Sequence, residues 1–133
     1  MIAAVILAAG AAAADAPPNP GWNCDGPVAQ QEMNWCAARE YEGADAELNA
    51  QWKVTAAAMK ARDKDLDRTY DTRPGYFDTL LSAQRAWIAY RDAHCASEGY
   101  WARGGSLEPL LVSTCKAKLT KERTQQLQFL VEQ

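Results

Sequence analysis

The sequence predicts an all-α fold: three long helices packed as a small disulfide-stapled bundle. Three observations carry that expectation. Apolar residues recur at steps of three and four over long stretches, while β-branched residues are scarce and period-two alternation is absent. Pro74-Gly75 and Gly104-Gly105 divide the periodic stretches into three. Four cysteines, Cys24, Cys36, Cys95 and Cys115, are even in number in a 133-residue chain, the size at which an exported domain gains stability from disulfides.

The N-terminal segment, residues 1–14, is apolar, Ala-rich and without a charged side chain. It is too short to span a bilayer and runs into Asp15, Pro17, Pro18 and Pro20, which break a helix. Ala12-Ala13-Ala14 offers the small residues a signal peptidase needs, although only the terminal amine supplies positive charge ahead of the run. A buried helix or a membrane anchor is the plainer alternative to a signal peptide. Cys24 follows Pro-Gly-Trp-Asn, the wrong context for a lipoprotein site. The expectation is a soluble periplasmic or secreted protein with no membrane insertion after cleavage. Residues 15–30 hold four prolines and two glycines and read as an extended leader, tied down by Cys24.

The helical domain is expected over 31–133. Met33, Cys36 or Ala37, Tyr41, Ala44, Leu48, Trp52, Thr55 and Met59 keep the helical period through about seven turns. Gly43 costs this helix about 1 kcal/mol against Ala and is expected at a close helix approach. Arg62 to Asp71 alternates in sign and reads as a solvated helix end and connector. Pro74 sits just before or inside the first turn of a second helix carrying Phe77, Leu80, Leu81, Gln84, Trp87, Ile88, Arg91 and Cys95 on one stripe. Gly99 and Gly104-Gly105 then bracket a loop containing Tyr100, Trp101 and Arg103. Ser106 is the expected N-cap of a third helix, with Pro109 tolerated in its first turn. Leu111, Cys115, Leu119, Gln126 or Leu127, and Leu130 continue the period. Thr120 could cap a separate last helix, but no Gly or Pro interrupts the run, which favours one long third helix.

Polar residues on apolar stripes are the informative exceptions. Gln84 and Arg91 fall on the buried stripe of the second helix, and Asp45 and Asn49 lie beside that of the first. A buried amide or guanidinium must be paired inside the fold or serve a ligand. The reading favoured here is a polar network between helices, with Arg91 paired to a carboxylate such as Asp45.

Sequential cysteine pairing, Cys24–Cys36 and Cys95–Cys115, closes the shortest loops. A bridge over about twenty residues contributes roughly 3 kcal/mol. The rival, Cys36–Cys95, would be in reach if the first two helices ran antiparallel. A zinc site is disfavoured because no Cys-x-x-Cys pair exists and the single histidine, His94, adjoins Cys95.

No catalytic constellation emerges. His94 and Cys95 are adjacent, so on a helix they face different ways. Gly104-Gly105-Ser106 reads as a turn with a cap before it reads as an anion site. The acidic residues Glu42, Asp45 and Glu98 are not placed across a cleft by anything in the sequence. The chain is therefore read as a non-enzyme needing no cofactor. A net charge of −3 argues against nucleic acid and permits a basic protein partner.

The assembled pieces resemble the LprI-like lysozyme-inhibitor family of small exported bacterial domains. The matching residues are Met33-Asn34-x-Cys36-Ala37, Ala44-Asp45-x-Glu47-Leu48-Asn49 and Gln84-x-x-Trp87-Ile88-x-Tyr90-Arg91-Asp92-x-x-Cys95. Gly105-Ser106 and Cys115-x-x-x-Leu119-Thr120-x-x-Arg123 complete the series. They run in the family's order from Cys24 to Leu130, with Trp52 where the family often has Tyr. The resemblance implies an all-helical, disulfide-bonded exported domain and, as the activity of its few characterised members, lysozyme inhibition. The recurrent positions look structural, so no inhibitory residue carries over. The expected partner is a protein, with a c-type lysozyme blocked at its cleft as the leading reading and an envelope interaction or scaffolding role as the alternative. Tyr100, Trp101 and Arg103, in the loop from Glu98 to Glu108, are the candidate contact residues, being of types enriched at binding hot spots; the alternative is that Trp101 packs on the end of the bundle.

Overall fold

The computed structural model describes residues 18–133; the expected signal peptide, 1–14, and the start of the expected leader lie outside the described residues. Three helices follow in order: α1 (Gln30–Lys64), α2 (Tyr76–Gly99) and α3 (Glu108–Val131), with a single 3-10 turn at Tyr100–Ala102. No strand occurs among the described residues, and none of their helices is long and apolar enough to cross a membrane.

Cross-helix bonds fix the topology. Gln84 of α2 meets Arg123 of α3, and Cys95 bonds Cys115, so these helices are antiparallel. Thr55 of α1 meets Leu127 of α3, and Arg62 meets Leu130, so these two run parallel. α3 packs more extensively along α1 than α2 does. The result is an up-down-up bundle.

The core follows the predicted stripes. Leu48, Met59, Leu80 and Leu127 form its centre, and Trp52, Phe77, Trp87 and Leu130 close over it. Ala37, Ala44, Ala56 and Ala117 are buried where helices approach. Thr55 and Thr120 are fully buried as well. The Thr55 hydroxyl donates to the Leu127 carbonyl at 2.9 Å, so it is satisfied within the core. Of the two alternatives on α3, Leu127 is buried and Gln126 exposed.

Both disulfides pair sequentially. Cys24–Cys36 and Cys95–Cys115 have Cα separations of 5.5 and 5.4 Å, in the normal disulfide range. The first ties the leader to α1, where Trp22 stands edge-on to Trp35. The second joins α2 to α3 just below their connecting loop. Cys36 and Cys95 do share an end of the bundle, yet each bonds its sequence neighbour.

Helix ends show where local expectation failed. Ser106 does not cap α3: the cap position is Leu107, with no side-chain bond. A turn closes there instead, with Glu108 N–H donating to the Gly105 carbonyl, and the Ser106 carbonyl accepts from Asn34 of α1. Gly43 marks no close approach, since a Cβ there would meet nothing within 4 Å. α2 also lacks a local cap, and Asp63 of α1 supplies one: its carboxylate accepts from Tyr76 N–H at 2.7 Å and Phe77 N–H at 3.1 Å. Gly75 permits this approach, because a Cβ there would lie 2.6 Å from Asp63 Oδ1. Arg62 completes the opposite kind of terminus, donating to the Leu130 and Gln133 carbonyls at the end of α3.

Candidate functional site

The segment between α2 and α3 is held from several sides. Arg103 N–H donates to the Tyr100 carbonyl and Gly105 N–H to the Ala102 carbonyl. Gly104 N–H donates to Glu108 Oε1 at 3.2 Å. Asn34 Nδ2 donates to the Ser106 carbonyl at 2.8 Å, fastening the loop to α1. The Cys95–Cys115 bridge anchors both stems. Gly99 lets α2 and α3 converge, since a Cβ there would lie 2.5 Å from Val112 Cγ2.

On this base Trp101 is 84% exposed and Tyr100 52%. Arg103 is exposed, and its guanidinium lies 4.4 Å from the Tyr100 ring centre. The indole therefore does not pack on the bundle end. Three of the residue types most often found at hot spots project together from a bonded loop.

The predicted polar network divides in two. Arg91, 7% exposed, is held between the faces of Tyr41 and Trp87, at 5.4 and 5.0 Å. Its Nε donates to Asp92 at 3.0 Å, and its NH1 lies 3.7 Å from Asp45. Asn49 Nδ2 approaches the other Asp45 oxygen at 3.4 Å. Asp45 is thus a partner of Arg91, at longer range than its sequence neighbour Asp92. Burial raises the Tyr41 pKa above 10, opposed by the positive charge of Arg91. Gln84, 1% exposed, joins none of this. Its Oε1 accepts from Arg123 Nε at 2.9 Å, a pairing that sequence reasoning missed. The signal was present: Arg123 lies one helical turn from buried Thr120 and Leu127.

Among the described residues, the His, Cys, Asp and Glu side chains that come close enough to suggest a metal site are His94, Glu98 and Cys115. Cys115 is bonded to Cys95 and offers no thiolate, so the donor set falls short of a structural zinc site. His94 instead stacks on Tyr90 and bonds Glu98 at 3.1 Å.

The fold and its contacts define a small helical domain, cross-linked at one end, in which Thr55, Gln84 and Arg91 each reach across to a neighbouring helix. The chain belongs to the LprI lysozyme inhibitor family: the family model, described as Lysozyme inhibitor LprI, matches residues 24–127. It is also 47% identical over 110 residues to an uncharacterised protein of Rhizobium meliloti (strain 1021), covering 83% of this chain and 79% of that one. No solved structure matches it.

Proposed function

We propose that this chain is an exported domain that binds a c-type lysozyme and inhibits it by seating the Tyr100–Arg103 loop in the catalytic cleft. The observation that carries this reading is the exposed Trp101 on a loop fastened by hydrogen bonds and a disulfide. A rigid aromatic anchor loses little freedom on binding, so its buried area converts efficiently into affinity. Glycosidase clefts are lined by a pair of carboxylates, and Arg103 brings a cation already stacked on Tyr100. Family membership supports the same target class. Two disulfides support an oxidising compartment, and with it removal of residues 1–14 as a signal peptide. The acidic side of α1 is a weaker docking surface, because Glu40 is engaged by Lys121 and Glu42 by Arg39.

The test is a turbidity assay of bacterial cells with lysozyme and the purified mature protein. Lysis should slow at equimolar protein. Trp101→Ala should weaken inhibition about thirtyfold or more, matching a hot-spot loss of at least about 2 kcal/mol, with an unchanged melting temperature. Cells that clear equally fast with excess protein would assign the domain to an envelope interaction instead.

A further inference from the structure

The leader is the least secured part of the described chain. None of residues 18–28 is buried, and only Trp22 and Pro27 are partly covered. Their hydrogen bonds close within the leader itself. Asn19 Nδ2 donates to the Trp22 carbonyl, Gly21 N–H and Trp22 N–H donate to Asn19 Oδ1, and Asp25 N–H donates to Asn23 Oδ1. Among the described residues, no hydrogen bond or ion pair joins residues 18–28 to a helix. What holds them to α1 is the Cys24–Cys36 bond and the edge contact of Trp22 with Trp35, whose ring centres lie 6.1 Å apart.

The face under the leader gives it little in return. Trp35 and Arg39 stand two residues to either side of buried Ala37. At about 100° per residue, both lie on the back of α1, away from α2 and α3. The Arg39 guanidinium lies over the Trp35 ring at 5.4 Å and pairs with Glu42. Trp35 Nε1 and Arg39 Nε and Nη1 are nevertheless sealed from solvent with no acceptor. A sealed donor carries a desolvation cost that only a hydrogen bond offsets, and the leader brings none. Lifting the leader opens this face to water, which supplies the acceptors the leader does not.

The two disulfides also differ in accessibility. Cys24 is exposed and Cys36 partly so, whereas Cys95 and Cys115 are 0% and 6% exposed. Thiol–disulfide exchange needs access to a sulfur, so a reductant meets the first bridge well before the second.

We infer that Cys24–Cys36 is a redox-sensitive clasp: a dithiol reductant opens it ahead of Cys95–Cys115, and the leader then lifts from α1 while the bundle stays folded. One thiolate of the reductant attacks Cys24 Sγ, and Cys36 leaves as a thiolate. The second thiol of the reductant then displaces Cys24 and closes the reductant's own disulfide. Two electrons and two protons pass to the protein, which ends with two thiols. The bundle survives because its core centre, Leu48, Met59, Leu80 and Leu127, lies on the three helices, and Cys95–Cys115 still joins α2 to α3. The face uncovered adjoins the Tyr100–Arg103 loop, since Asn34, next to Trp35, holds the Ser106 carbonyl. The clasp is independent of the lysozyme reading.

Timed alkylation of the full mature protein in dithiothreitol, read by peptide mass mapping, tests the order of opening. Cys24 and Cys36 should be modified at least about tenfold faster than Cys95 and Cys115. In the protein opened at the first bridge alone, the heteronuclear NOEs of residues 18–28 should fall to free-chain values. The Trp35 indole N–H should exchange faster, and far-UV ellipticity should be unchanged. Cys24→Ser together with Cys36→Ser should give the same spectra without reductant. Alkylation of all four cysteines at one rate overturns the inference, as does a leader that stays ordered in the double variant. Loss of helix on opening Cys24–Cys36 alone overturns it as well, because the bridge would then hold the bundle and not the leader.

Discussion

Truncating Arg91 separates a structural guanidinium from one that serves a partner. The side chain is 9% exposed and its charge is met by two carboxylates that keep water contact: Asp92 is half-exposed and Asp45 one-fifth exposed. The Asp92 pair, discounted for that solvent, contributes under about 1 kcal/mol. Contact with the faces of Tyr41 and Trp87 contributes about 1–2 kcal/mol. Losing the buried stem leaves a void costing about 1 kcal/mol more. Arg91→Ala should therefore cost about 3 kcal/mol, at the low end of the 3–5 kcal/mol typical of breaking a buried pair, because neither carboxylate is left fully dry. Arg91→Met keeps the stem and should cost only about 1–2 kcal/mol, chiefly the charge and ring contacts. Urea unfolding followed by far-UV ellipticity measures both, and lysozyme inhibition by the same samples gives a second readout. Wild-type unfolding midpoints together with lost inhibition would refute the structural role and place Arg91 at the partner surface.

Other perturbations test other parts of the fold. Unfolded, unreduced protein should titrate with no free thiol, and replacing Cys95 and Cys115 together by Ala should cost about 3 kcal/mol by the loop-closure relation, read as a lower unfolding midpoint. Gly99→Ala drives a Cβ into the stiff Val112 side chain and should destabilise by about 1–2 kcal/mol despite the better helix propensity of Ala, measured the same way. Asp71, bonded first of all by the Arg73 side chain, is held at a pKa of about 2 against 3.8. Its folded pKa is depressed, so its contribution is present above the ordinary carboxylate range and lost as pH falls through about 2. Carbon-detected NMR titration should find that midpoint, and Arg73→Gln should return it toward 3.8.

The sequence was legible where periodicity and burial coincide. Leu48, Thr55, Met59, Leu80, Gln84, Arg91 and Cys115 all lie on the expected stripes, and all are buried. Loop length favoured sequential cysteine pairing but left Cys36–Cys95 open, and the sequential pairing is the one found. What could not be read locally was settled by distant groups. Ser106 looks like a cap, but tertiary bonding commits its carbonyl to Asn34, and a turn takes the place of the side-chain cap. Thr120, weighed as a helix start, is a buried helix interior residue. Gln84 and Arg91 share a stripe yet belong to separate networks, because a one-dimensional pattern gives the face and not the neighbour. The direction of the Trp101 indole depends on turns closed by backbone atoms, which carry no sequence signature.

The carboxylate of Asp63, seated on the first amides of α2, links two helix termini that the chain leaves twelve residues apart. Fraying at either terminus breaks the same two hydrogen bonds. Unwinding the last turn of α1 withdraws the acceptor from Tyr76 and Phe77, and unwinding the start of α2 strands a carboxylate beside Gly75. Amide hydrogen exchange should therefore report the two turns as one cooperative unit, opening with a shared free energy and a shared dependence on denaturant. Asp63→Ala would uncouple them, leaving the α2 amides to exchange faster than those of α1. The connector between these helices is thus pinned at both ends by one carboxylate, although most of its residues are solvated.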